Sequence, residues 1–146
     1  MEEEKNGNYY DDSPVLELTD EDFDGEKIIS KKIVGSYGLL KCYAPWCGHC
    51  KSLKDDLIFL ANGLKSENFK IASINSDNVA TSKVCESLKI QGFPTLFMIN
   101  TDGTLKNYNG VDRSIEALLA EICKHTNSKT CCRRERDELI CEMKKK

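Results

Sequence analysis

Long apolar runs are missing from this chain. No stretch of its 146 residues approaches the roughly 18 that a membrane-spanning helix needs, so no membrane role is expected. A basic excess is missing too. Lys and Arg number 21 against 24 Asp and Glu, and the net charge of −3 argues against a dedicated nucleic-acid binder. Internal repeats and low-complexity tracts are absent beyond the short charged ends. The start, Met1-Glu2-Glu3-Glu4-Lys5, lacks the basic residues and apolar stretch of a secretory leader. The end, Lys144-Lys145-Lys146, is not a retention tetrapeptide. Together these favour the cytoplasm or a virus particle, and the endoplasmic reticulum only for a truncated chain. What is present is the composition of an ordinary globular domain, 40% hydrophobic and 31% charged. The 8 cysteines exceed cytosolic usage and fall short of a disulfide scaffold.

Three zones separate by composition. Residues 1–13, rich in acids and without apolar periodicity, read as a mobile arm. Residues 14–125 alternate strand and helix patterns, and 126–146 form a charged extension containing cysteines. Within the middle zone, Val15–Leu18 reads as a strand and Thr19-Asp20-Glu21-Asp22 as a helix start. Gly38–Tyr43 is a mostly apolar run suited to a central strand. Leu53, Leu57, Leu60, Ala61 and Leu64 recur at helical spacing after Cys47. Phe69–Ile74 follows as a strand and Val79–Leu88 as a helix. Thr95–Asn100 and Thr104–Tyr108 pair about a Thr101-Asp102-Gly103 turn, and Ser114–Lys124 closes as a helix. The order βαβαβαββα implies an α/β fold with a mixed sheet and helices on both faces. The extension, with its Arg, Glu and Leu content, reads as helical: either a frayed, solvated helix or a docking and dimerisation element.

Chemistry concentrates in Tyr43-Ala44-Pro45-Trp46-Cys47-Gly48-His49-Cys50-Lys51, where a strand ends and a helix begins. Two cysteines three apart in a first helical turn can close a disulfide with little backbone movement. Unpaired N–H groups and the positive dipole of a helix start favour an anion, so Cys47 is expected to be the attacking thiolate. Cys50, one turn deeper, is then the resolving thiol. Gly48 permits the tight turn, a protonated His49 adds positive charge, and Pro45 and Trp46 shape the lip. The same pair could be half of a zinc site, or bridge an iron–sulfur cluster, although no second pair lies at ligand spacing.

Residues 44–51, Ala-Pro-Trp-Cys-Gly-His-Cys-Lys, resemble the active-site segment of the protein disulfide isomerase branch of the thioredoxin superfamily. Gly92-Phe93-Pro94-Thr95, Val15, Leu18, Thr19 and Phe23, and Tyr108-Asn109-Gly110 also resemble the family pattern, which covers about residues 14–125. The resemblance implies a thioredoxin fold, a cis bond at Pro94 beside the cysteines, and a substrate groove formed by Phe93 and Pro94. It also marks departures. Lys41 stands where relatives carry a buried Glu or Asp that takes the proton of the resolving cysteine. A buried ammonium is unfavourable, so Lys41 either acts as a base, holds a thiolate as a cation, or snorkels to solvent. Asp55 replaces a helix proline, and Arg113 comes one residue late for an arginine that could swing toward Cys50.

Cys42 and Cys85 read as small core residues. Cys131, Cys132 and Cys141 could pair with Cys123 or with another chain, giving a homodimer through the extension. The expectation is therefore a thiol–disulfide oxidoreductase that acts on protein thiols and disulfides and needs no organic cofactor. A thioredoxin-like reductase, or a redox-silent binding module using the same groove, are the rivals.

Overall fold

The computed structural model describes Tyr10 and residues 13–142. Five strands form the central sheet, in the order β1 (Leu16–Glu17), β5 (Phe69–Asn75), β4 (Tyr37–Tyr43), β6 (Thr95–Ile99) and β7 (Leu105–Asn107). β1, β5 and β4 run parallel; β6 and β7 run antiparallel to their neighbours, which makes the sheet mixed. Parallel neighbours require a crossover, which α1 (Gly48–Leu64) supplies between β4 and β5, whereas α2 (Ser82–Ser87) leads from β5 past β4 into the antiparallel β6.

Period-two alternation along β4 divides the core. Leu39 and Tyr43 enter one layer with Leu53, Leu57, Leu60 and Leu64 of α1 and with Ile115, Leu118, Leu119 and Ile122 of α3 (Ile115–His125). Leu40 and Cys42 enter the opposite layer with Ala72, Ile74, Val84 of α2, Phe97 and Ile99. Each buried leucine contributes about 1.5–3 kcal/mol, so the α1 stripe alone fixes this helix to the sheet. That orientation decides where its first turn, and hence both cysteines of the motif, must lie.

Two expectations required correction. The helix start at Thr19 is a single 3-10 turn, Asp20–Asp22, closed by the Thr19 N–H donating to Asp22 Oδ2 at 2.9 Å. No apolar residue recurs at helical spacing before Gly25, whose φ of 63° turns the chain instead into a ribbon of β2 (Phe23–Asp24) and β3 (Lys27–Ile28).

The extension is not helical. It forms a hairpin of β8 (Cys132–Glu135) and β9 (Glu138–Cys141), turning at Arg136, which sits at φ 59°. Cys123 bonds to Cys131 and Cys132 bonds to Cys141, so the hairpin is closed across its open end and tied to the end of α3. β8 lies along α3 and β9 along α1, with Arg134 paired to Glu116 at 2.9 Å. Leu139 packs on Gly63 of α1, where a side chain would overlap it. Met143 lies outside the described residues, as does the stretch 1–13 apart from Tyr10 and Ser13. Tyr10 is buried in the α1 layer of the core. Among the described residues no helix is long and apolar enough to cross a membrane.

Candidate functional site

Strand β4 carries the chain to Tyr43, and the short link through Pro45 and Trp46 opens directly into α1. Cys47 is the N-cap of that helix, in extended conformation at φ −79°, and its Sγ accepts a hydrogen bond from the Cys50 N–H at 3.1 Å. This sulfur therefore occupies the place where an N-cap oxygen ordinarily satisfies a free helix donor. The Cys47 Sγ–H in turn points at the Phe93 carbonyl, 3.7 Å away. Ionisation would remove the second contact and strengthen the first. Both cysteines are free thiols here, with Cys47 8% exposed and Cys50 fully buried.

The Phe93–Pro94 bond is cis, as the family resemblance implies. Phe93 packs edge-on against Trp46, with centroids 5.9 Å apart. Trp46 is 66% exposed, and its Nε1 donates to Asp77 Oδ1 at 3.3 Å. Arg113 donates to the Pro94 carbonyl at 3.4 Å. With Ser52, Leu53, Asp56 and Pro94 it lines a cavity of about 190 Å³. Gly48 begins the helix and has open space around it. His49 lies in the same turn, but its side chain is outside the described residues.

Lys41 does not snorkel. It is fully buried on the α1 face of β4, between Leu39 and Tyr43. Its Nζ donates to the Tyr10 hydroxyl at 2.7 Å and to the Cys50 carbonyl at 2.9 Å. The rings of Tyr10 and Tyr43 stand 5.3 and 5.0 Å from it. Burial lowers the Lys41 pKa to about 8, opposed by the negative charge that Cys50, Cys47 and Glu17 can carry. Burial pushes the Cys50 thiol up to about 11, helped by its contact with the Cys47 sulfur and opposed by the Ala44 backbone and Lys41. Cys42 and Cys85 are likewise raised, chiefly by burial, consistent with core thiols.

Lys41, Trp46, Cys47, Cys50, Phe93 and Pro94 therefore gather at one end of the sheet, and Arg113 reaches Pro94. Sequence reasoning missed Tyr10 and Asp77. Asp77 lies in the loop after β5 and carried no motif. Tyr10 was hidden in an acidic stretch with no apolar periodicity. Among the described residues no group of three or more His, Cys, Asp and Glu side chains converges as a metal site.

A mixed sheet between helices, with a Cys-x-x-Cys pair capping α1 beside a cis-proline, defines a thioredoxin-fold dithiol domain. The family described as Thioredoxin matches residues 14–124, and the chain belongs to that family. It is homologous to protein disulfide isomerases. Protein disulfide-isomerase 1 of Dictyostelium discoideum is 34% identical over 116 residues, covering 78% of this chain and 30% of the relative. A protein disulfide-isomerase A6 homolog of Drosophila melanogaster is 36% identical over 114 residues, covering 75% of this chain and 25% of the relative. The J-Trx1 fragment of ERdj5 superposes with a TM-score of 0.66 at 26% identity, covering 82% of this chain and 56% of the fragment. The chain thus spans under a third of the length of these curated relatives.

Proposed function

We propose that this domain exchanges disulfides with protein thiols, as an oxidoreductase of the disulfide isomerase and oxidase type. The observation that carries the reading is Cys47 Sγ at the N-cap of α1, beside the Phe93 carbonyl, with Cys50 buried one turn below. In the reducing direction the Cys47 thiolate attacks a client disulfide. One client sulfur leaves as a thiolate and a Cys47–client disulfide forms. Cys50, deprotonated, attacks Cys47 Sγ; the Cys47–Cys50 bond forms and the second client sulfur leaves as a thiolate. Reversal of these steps passes the bond to a client dithiol. When Cys50 does not act, the first client thiolate can attack elsewhere in the client, which is isomerisation.

Exposed Trp46 and the half-buried Phe93 packed against it offer an apolar edge for an extended or flexible client segment, with Pro94 buried behind them and Gly48 and His49 tuning the pair. The reduction potential is expected nearer the isomerases, about −180 mV, than thioredoxin, about −270 mV. The three cysteines of the extension are all paired within one chain, Cys131 with Cys123 of α3 and Cys132 with Cys141, so a covalent homodimer through them requires one of these bonds to open. These two disulfides favour an oxidising compartment over the reducing cytosol. Insulin reduction by wild-type protein and Cys47→Ser tests the function. Loss of turnover in the variant is expected, and equal rates would leave a binding module in its place.

A further inference from the structure

We propose, building on the dithiol reading above, that Tyr10 is a positioning residue of the resolving step: its hydroxyl holds the Lys41 amine against the Cys50 carbonyl, where that amine takes the Cys50 proton. A lysine on a central strand ordinarily extends its head to water. Here it ends between two phenol rings and the first turn of the reacting helix. Tyr10 reaches this point from the segment before β1 and is 3% exposed, so it also covers the amine from that side. Its ring meets Tyr43 edge-on at 5.7 Å, and the Tyr43 hydroxyl donates to Glu17 at 3.0 Å.

The hydroxyl is suited to a group that changes charge. A protonated amine donates three hydrogens and accepts none; a neutral amine has a lone pair. The Cys50 carbonyl can only accept, and does so from either form. The Tyr10 oxygen accepts from the ammonium and its O–H can donate to the neutral amine, so one partner serves both states. A carboxylate or carbonyl in its place would serve only the ammonium.

The step balances. In the Cys47–client disulfide, Cys50 Sγ–H gives its proton to the neutral Lys41 amine. The resulting thiolate attacks Cys47 Sγ, and the client sulfur departs with the electron pair of the broken S–S bond. Lys41, now an ammonium, returns its proton to solvent or to the departing thiolate. With Lys41 near 8, about a tenth of the molecules hold a neutral amine at pH 7. Among the described residues, the charged and titratable groups facing it are Cys47, Cys50 and Lys54 of α1, Glu17 of β1, Tyr43 of β4 and Tyr10.

The test uses the full chain with the extension disulfides intact. Reduced protein is mixed with oxidised glutathione, and the fluorescence of Trp46, the single tryptophan, follows formation and then resolution of the Cys47–glutathione disulfide. The resolution rate in wild type is expected to rise with pH through a midpoint near 8, following Lys41. Tyr10→Phe keeps the ring and removes the oxygen that stabilises the ammonium, so the midpoint should fall by about one pH unit. Lys41→Met should lose that midpoint and rise only above pH 9. Identical profiles in the three proteins would overturn the proposal. If wild type forms no Cys47–glutathione disulfide, the oxidoreductase reading itself fails. As a check independent of substitution, the Lys41 ¹⁵Nζ resonance of wild type should titrate near 8. It should move lower when 3-fluorotyrosine, a weaker acceptor, replaces tyrosine. A Lys41 midpoint above 10, or one indifferent to fluorination, overturns it equally.

Discussion

Replacing Lys41 by Met should make the protein more stable at neutral pH, although it removes a group from the site. The ordinary lysine pKa of 10.5 falls to about 8 in the fold. At about 1.4 kcal/mol per pH unit, the charged amine costs the native state on the order of 3 kcal/mol below pH 8. The sign follows from proton counting. The unfolded chain holds the lysine proton up to about 10.5, the folded chain only to about 8, so stability rises with pH across that window. The raised thiols Cys42 and Cys85 act oppositely, because their unfolded forms ionise first above about pH 9. The clean interval is therefore pH 8 to 9. In a Cys47→Ser/Cys50→Ser background, which has no exchange chemistry, urea unfolding should show a gain of about 1 kcal/mol over that interval. Adding Lys41→Met should flatten the slope and raise stability at pH 7 by about 1–3 kcal/mol, the lower value allowing for the lost bond to Tyr10. A flat profile with Lys41 in place, or a Met variant several kcal/mol less stable, would refute the reasoning.

Further outcomes concern the extension. Removing the Cys123–Cys131 bond with serines should cost about 2–3 kcal/mol in urea unfolding, the loop-closure value for a separation of 8 residues. Gly63→Val would drive a side chain into Leu139 and should lift the hairpin off α1. Faster proteolysis within 131–142 and about 1–3 kcal/mol of lost stability are expected. Insulin reduction should be unchanged in Gly63→Val, since Gly63 lies 13 residues along α1 from Cys50, about 20 Å.

The parts legible in the sequence are those where one local pattern decides. The leucine spacing of α1, the apolar run of β4 and the two motif segments fall where they were expected. The turn at Arg136 was not legible, because a positive φ is signalled by Gly or Asn and here an arginine adopts it among helix-forming neighbours. Gly63 gave a faint sign: a glycine inside a helix is unfavourable unless something packs there, and that something, Leu139, is 76 residues away in a segment read as helix. Tyr10 and Lys41 are joined across 31 residues, and no periodicity connects them. The family pattern did mark Lys41 as a departure, which located the anomaly; its partner became visible only with the fold.

The most direct measurement captures the sulfur in the act. Cys50→Ser is incubated with a disulfide-bonded client, quenched in acid and mapped by mass spectrometry, alongside Cys47→Ser. A reductant-sensitive client adduct on Cys47 in the first protein, and none in the second, is the predicted result. Adducts on Cys42 or Cys85, or equal trapping in both proteins, would contradict the assignment of Cys47 as the attacking sulfur.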